Sequence, residues 1–263
     1  MKEFFSGMRL YGDDMDEAGV LAWYRDEERA YYELWGQNRD RGFYDYHALN
    51  TRHGFRHLPV GSLGRLLSFG GANGEEVRPI AARASSVVLV DPTDYGTREL
   101  AGTKVEYRRP NSLGALPADD GEFQALTCFG VLHHIPDVTR VVREFARSLS
   151  PGGIALIREP IVSMGDWRRP RRGLTSRERG IPLQLFDEMI RSAGFEVLRR
   201  QRCVHPLTPR VARVLGVNAY NSPQLVALDM ALCTLPPWRT RYHAFRWWQR
   251  LRPAAVAYVL RKH

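Results

Sequence analysis

The chain has 263 residues, 44% of them apolar and 25% charged, a composition that excludes a disordered or fibrous protein and leaves room for a sizeable core. The net charge of +9 is uneven: residues 1–157 carry 18 Lys and Arg against 22 Asp and Glu, and residues 158–263 carry 20 against 7. Such asymmetry points to an anionic partner, although 35 of the 38 basic residues are arginine, a bias that genome composition also produces.

No apolar run reaches the eighteen or so residues of a membrane span, and Met1-Lys2-Glu3-Phe4-Phe5 does not open a signal peptide, so the expected location is the cytoplasm. Cys128, Cys203 and Cys233 are widely spaced with no Cys-x-x-Cys pair, which argues against a disulfide framework or zinc knuckle and for buried thiols. Residues 1–60 place bulky rings at helical spacings, as in Ala22-Trp23-Tyr24 and Ala30-Tyr31-Tyr32-Glu33-Leu34-Trp35, and predict one or two amphipathic helices. From Gly64 strands and helices alternate: strand at 66–69, helix at 75–84, strand at 87–90, a weaker strand at 104–107, strand at 125–129, helix at 138–149, strand at 154–158. Short apolar strands between helical patterns imply βαβ units and a parallel sheet covered on both faces. Ser150-Pro151-Gly152-Gly153 reads as the stop between helix and strand. A helix at 182–193, a strand at 195–204 and a last strand at 254–260 follow. Residues 205–253, with six prolines, read as an inserted cap, so the expected organisation is a helical cap segment 1–60, a core of 61–204 and 254–263, and the insertion 205–253.

The turn after the first strand is Gly70-Gly71-Ala72-Asn73-Gly74. It fails Gly-x-Gly-x-x-Gly at Ala72 and Glu75, and no P-loop pattern occurs, so it suits a ligand lacking a pyrophosphate. Asp91, about 20 residues on at the end of the second strand, is placed to accept hydrogen bonds from ribose hydroxyls; Asp91-Pro92 is also a turn signal.

Ser68-x-Gly70-x-Ala72-x-Gly74, Asp91, Pro110-Asn111-Ser112 with Leu116-Pro117, Phe129-Gly130-Val131-Leu132-His133-His134-Ile135-Pro136-Asp137 and Leu149-Ser150-Pro151-Gly152-Gly153 together resemble a class I S-adenosylmethionine-dependent methyltransferase over residues 64–160. Two departures stand out: Ser68 replaces the family's acidic residue, and Ala72 its middle glycine. The resemblance implies a Rossmann-like α/β fold, mostly parallel with an antiparallel last strand, and S-adenosyl-L-methionine as cofactor. It implies cofactor contacts at Gly70, Gly71, Ala72, Gly74, Asp91, Pro92, Asn111, Ser112, Phe129 and His134.

Methyl transfer from a sulfonium is a direct displacement, so the enzyme aligns the acceptor and, for a hydroxyl, removes a proton. His133 is the candidate base, because imidazole titrates nearest neutral pH; capping the next helix or touching the cofactor is its alternative role. Glu159, ending the fifth strand, is the second catalytic candidate, or else a partner for nearby arginines. His53 and His57 stand four apart, but with no acidic or cysteine partner close by they read as a packed or solvated pair, and no metal site is expected. Trp167-Arg168-Arg169-Pro170-Arg171-Arg172-Gly173 follows the fifth strand and suits either phosphate binding with ring stacking or an exposed charged loop. Glu178-Arg179-Gly180-Ile181-Pro182 resembles a stretch of glycan-assembly methyltransferases. The arginines and aromatics of 238–252 suit a membrane interface, stacking on RNA bases, or a packed cap.

The expectation is O-methylation of a sugar, glycan or lipid-linked glycan intermediate, with peripheral contact to an anionic membrane surface. RNA or small-molecule methylation is the alternative; nucleic acid is disfavoured because no RNA-binding module is attached and no Asn/Asp-Pro-Pro-aromatic signature follows the fourth strand. Ser68 and Ala72 also admit a non-catalytic partner protein that keeps the fold.

Overall fold

The computed structural model describes residues 1–35, 44–111, 113–235 and 241–263. Its strands are β1 (Arg65–Phe69), β2 (Ser86–Val90), β3 (Glu99–Leu100), β4 (Thr103–Arg108), β5 (Phe123–Phe129), β6 (Leu149–Pro160), β7 (Phe195–Cys203) and β8 (Ala255–Lys262). They form one sheet in the order β3-β4-β2-β1-β5-β6-β8-β7. The neighbours β4-β2-β1-β5-β6 run parallel, β8 pairs antiparallel with both β6 and β7, and β3 adds a short antiparallel edge that the sequence pattern did not show.

Both faces of the sheet are apolar because successive side chains alternate between two covering layers. Leu67, Val88, Leu126 and Ile157 pack beneath α5 (Val138–Ser148) and α6 (Leu183–Ser192). Leu66, Val87, Leu89, Ala125 and Leu156 face the other way, against Phe55 and Leu58 and against Ile80 of α4 (Arg78–Ala81). On that same side α3 (His47–His53) and α8 (Pro223–Thr234) enclose Leu49, Cys203 and Val226. The three cysteines are buried and free.

The helix expected over 75–84 is a 3-10 turn, Glu75–Val77, followed by the single turn α4. Pro79 has no N–H to bond back to Glu75, so a continuous α-helix lacks a rung there. Ser150–Gly153, expected as a stop, lies inside β6 as an irregularity: Phe123 pairs with Leu149 while Ala125 pairs with Ile154. The insertion divides by position. α7 (Thr208–Leu215) and α8 pack at the β7 side, where the buried Asp229 carboxylate accepts from the N–H of Val204 and His205 and from the Thr208 hydroxyl. Tyr242 instead joins Phe5 of α1 (Lys2–Ser6) and Trp167 in a separate aromatic cluster. α2 (Glu17–Trp35) completes the amino-terminal part.

Candidate active site

The carboxyl ends of β1, β2, β5 and β6 bring the sequence candidates to one edge of the sheet, where open α/β sheets bind ligands. The glycine turn leaves β1 with Gly70 at φ +70°, and a Cβ there would stand 2.4 Å from Val131 Cγ2, so the turn and the loop after β5 are packed backbone to side chain. Ala72 holds φ +47°, the left-handed conformation that a glycine would hold, at a cost of about 1–2 kcal/mol for an L-residue. Its N–H donates to Asp91 Oδ2 at 3.1 Å, and Thr93 N–H donates to Oδ1 at 3.0 Å. Burial raises the Asp91 carboxyl to about 6, against the pull of those two donors. Each oxygen keeps a further lone-pair position, which suits a pair of ribose hydroxyls.

The missing acid at position 68 has a counterpart. Ser68 Oγ donates to Glu76 Oε1 at 2.8 Å, and Thr127 Oγ1 donates to the same oxygen at 3.4 Å, so a carboxylate sits beneath the glycine turn, supplied from eight residues on. Burial raises Glu76 to about 7, although the Ser68 hydrogen bond favours its charge. Sequence reasoning missed it, since Glu75-Glu76 looks like the solvated start of a helix.

The remaining predicted cofactor residues are spread along this edge. Pro92 and Asn111 are exposed, and Asn111 Oδ1 accepts from Leu113 N–H at 2.7 Å; Ser112 lies outside the described residues. Phe129 is buried, edge-on to Phe55 at 5.8 Å, with the Arg158 guanidinium over its ring.

His133 and His134 occupy a 3-10 turn, Leu132–His134, directly after β5. Glu159, at 0% exposure, accepts from the backbone N–H of Val131 (2.7 Å), Leu132 (2.9 Å) and His133 (3.3 Å) and from His133 Nδ1 at 2.9 Å. It therefore pairs with the turn and not with an arginine; Arg158 points to the other face, donating to Asn50 Oδ1. The second histidine nitrogen, Nε2, lies 3.4 Å from Glu178 Oε1. Burial opposes charge on this imidazole, but its two carboxylate partners outweigh that and raise it to about 9. His134 Nδ1 donates to Glu27 of α2 at 2.9 Å.

Arg179, fully buried, fixes the same turn from the opposite side by donating to the carbonyls of Leu132, His133 and Ile135, at 2.7–3.2 Å, and to Tyr11 O. Trp23 stacks beneath its guanidinium at 4.9 Å and donates to His134 O. Glu27, Glu178 and Arg179 were not recognised as site residues in the sequence; the only signal was the Glu178-Arg179-Gly180 run. Gly180 is required there because a Cβ would meet Val162 O at 2.2 Å. The basic loop before it is exposed at Arg168, Arg169, Pro170, Arg172 and Gly173, with Arg168 paired to Asp166, while two of its side chains turn inward: Trp167 is buried against Phe5 and Tyr11, and Arg171 donates to Met164 O and Thr175 O. His53 is buried, and burial lowers it to about 4; it shares no helix with His57, since α3 ends at Gly54. A hollow of about 490 Å³ lined by Gly61, Ser62, Arg83 and Ser85 opens at the opposite edge of the sheet, away from all of these groups.

The family description "Methyltransferase domain" matches residues 33–200, well over half of the chain. The chain is a class I S-adenosylmethionine-dependent methyltransferase. Solved structures with the same fold include the [4+2]-cyclase SpnF, at 18% identity and TM-score 0.55 over 94% of this chain and 97% of that one. An S-adenosylmethionine-dependent methyltransferase from Mesorhizobium loti follows at 19% identity and TM-score 0.52, covering 79% and 95%. Curated relatives include ubiquinone biosynthesis O-methyltransferases of Dechloromonas aromatica and Xanthomonas oryzae pv. oryzae, each 34% identical over 106 and 104 residues. Those matches span 38% of this methyltransferase and 42% and 41% of the relatives. The cofactor is S-adenosylmethionine, and the glycine turn with Asp91 fits it: a tight bare turn faces a buried carboxylate with lone pairs to spare.

Proposed function

We propose that this methyltransferase methylates a hydroxyl oxygen, and that its acceptor is a lipid-soluble or lipid-linked molecule met at a membrane surface. The observation that carries the first part is the His133–Glu159–Glu178 array. A buried carboxylate orients one imidazole nitrogen, and the other faces a second carboxylate at the edge where the cofactor binds; raised to about 9, this imidazole takes a hydroxyl proton in its deprotonated form, a fraction that grows as pH rises toward that value. The relatives named as O-methyltransferases support the same chemistry.

S-adenosylmethionine supplies a sulfonium-bound methyl that an oxygen lone pair displaces directly. In this reading the backbone of Gly70, Gly71, Ala72 and Gly74 and the Asp91 carboxylate hold and orient the cofactor, with Pro92, Asn111, Phe129 and His134 along its path. The His133–Glu178 pair takes the hydroxyl proton as the oxygen–carbon bond forms. Glu159 is a positioning residue, sealed behind His133 and reaching the acceptor only through it.

The lipid part rests on the end of the insertion. Phe245, Trp247 and Trp248 are 67%, 70% and 47% exposed beside Arg246 and Arg250, the pattern of rings at headgroup depth with cations on anionic lipid. No helix among the described residues is long and apolar enough to cross a membrane. The relatives' names bring no glycan, so the glycan part of the sequence reading has no support beyond the Glu178–Pro182 run. RNA is the weaker acceptor, because Arg158, Arg171, Arg177, Arg179 and Arg252 are spent on groups of their own chain.

Methyl transfer from labelled cofactor into pooled lipid, RNA and polar-metabolite fractions tests the assignment. Label in an ether of the lipid fraction is expected; label in RNA or on nitrogen overturns it. Calorimetry with S-adenosylmethionine separately tests the non-catalytic reading: micromolar binding with demethylated cofactor co-purifying removes it, and no binding at millimolar cofactor would exclude turnover.

A further inference from the structure

The histidine pair has a geometry that proton handling alone does not require. Ligand atoms of His133, His134 and Glu178 all lie within 4.8 Å of one another, and the two imidazole rings are 4.1 Å apart. The 3.4 Å between His133 Nε2 and Glu178 Oε1 is long for a charge-assisted hydrogen bond, which settles near 2.7–2.9 Å. It matches the edge of a tetrahedron whose ligands stand about 2.0–2.1 Å from a central ion, which places them roughly 3.3 Å apart.

Behind the three groups stands a second layer of carboxylates. Glu159 holds His133 Nδ1, and Glu27 holds His134 Nδ1, each at 2.9 Å. Metal-bound histidines are ordinarily held in this way, the carboxylate fixing the tautomer and the ring plane. Glu27 is 7% exposed, and its second oxygen, Oε1, is buried without a hydrogen-bond partner. That oxygen lies in the field of Arg171 and Arg179, so Glu27 enters the site only as the carboxylate that holds His134.

We propose that His133, His134 and Glu178 form a binding site for one divalent first-row metal ion, Zn²⁺ by the nature of its ligands, with Glu159 and Glu27 orienting the two histidines from behind. Two imidazoles and one carboxylate are a ligand set of catalytic zinc sites, and three protein ligands leave a fourth position for water or a hydroxyl oxygen. The ion would stand at the carboxyl edge of β5, beside the glycine turn. The proposal rests on the hydroxyl reading above and changes two roles within it: with the ion bound, His133 and Glu178 hold the ion in place of the proton, and a hydroxyl at the open position becomes acidic enough to give its proton to solvent.

Calorimetric titration of the chelator-treated full chain with Zn²⁺, without cofactor or acceptor, tests the site independently of methyl transfer. One equivalent is expected to bind in the micromolar range or tighter and to raise the melting temperature. Glu178→Gln and His134→Gln are expected to weaken binding at least a hundredfold, and Glu159→Gln by roughly tenfold to a hundredfold as an orienting group. Far-ultraviolet circular dichroism checks that each variant is folded, and the near-isosteric Glu178→Gln guards against loss of the fold. No saturable binding, or binding of equal strength in Glu178→Gln and His134→Gln, overturns the site. Either failure leaves methyl transfer to a hydroxyl standing, because that is read by the labelled product.

Discussion

Glu76 is a carboxylate sealed under the glycine turn, and its setting gives the fold a pH dependence of its own. Its folded value of about 7 lies above the ordinary carboxylate value of 4.5, so stability is complete below about pH 4.5 and falls as pH rises through about 7. The loss amounts to about 3 kcal/mol. Urea denaturation across this range is expected to show Glu76→Gln gaining on the wild type as pH rises and levelling off above pH 7; a constant difference would mean that Glu76 does not titrate there. Asp91 is the second test at this scale. Asp91→Asn keeps the shape but loses the charged acceptor, and calorimetry is expected to show S-adenosylmethionine affinity reduced roughly tenfold to a hundredfold. The sequence displays Ser68 as a missing acid but not its replacement, because which of Glu75 and Glu76 turns inward depends on a 3-10 turn that local pattern does not reveal. Ala72 differs: its left-handed backbone follows from its place in the glycine pattern, and the fold keeps that conformation without the glycine.

The element that matters most is the turn from Gly130 to Ile135, strung between Glu159, which collects its N–H groups, and Arg179, which collects its carbonyls. Arg179→Met removes the side-chain donors from four carbonyls, of which Leu132 O keeps the Ile135 N–H and His133 O the backbone N–H of residue 179, and chemical denaturation is expected to show a loss of about 3 kcal/mol. At the facing turn, Gly70→Ala forces a Cβ against Val131 at a positive φ; thermal melting is expected to drop by several degrees. The strands were legible because apolar runs buried on both faces have few other interpretations. The helix over 75–84 was not, since its apolar spacing is helical while Pro79 withholds the rung that would make it continuous. Ser150–Gly153 likewise reads as punctuation, yet the sheet absorbs it as an irregularity within β6.

Across the whole molecule, the sheet order places the glycine turn, Asp91 and the histidine turn at one edge, and this much followed from the order of motifs in the chain. Glu27, Glu178 and Trp23 reach the same edge from α2 and from the loop after β6, separated by more than a hundred residues, and no spacing rule connects them. The charge asymmetry was legible as a basic half, but not its use: several arginines of that half brace the chain internally, others are exposed on the loop after β6, on β7 and on α7, and Arg246 and Arg250 stand beside Trp247 and Trp248. Trp247→Ser with Trp248→Ser is expected to lower binding to anionic phospholipid vesicles at least tenfold while leaving the melting temperature within a few degrees. Methyl transfer to a hydroxyl depends on proton removal at the histidine turn. Single-turnover transfer of labelled methyl into the lipid fraction by His133→Ala, at cofactor concentrations shown by calorimetry to saturate it, is the direct test. Unchanged cofactor affinity is expected, with a rate reduced by roughly a hundredfold or more; an unchanged rate would show that His133 removes no proton.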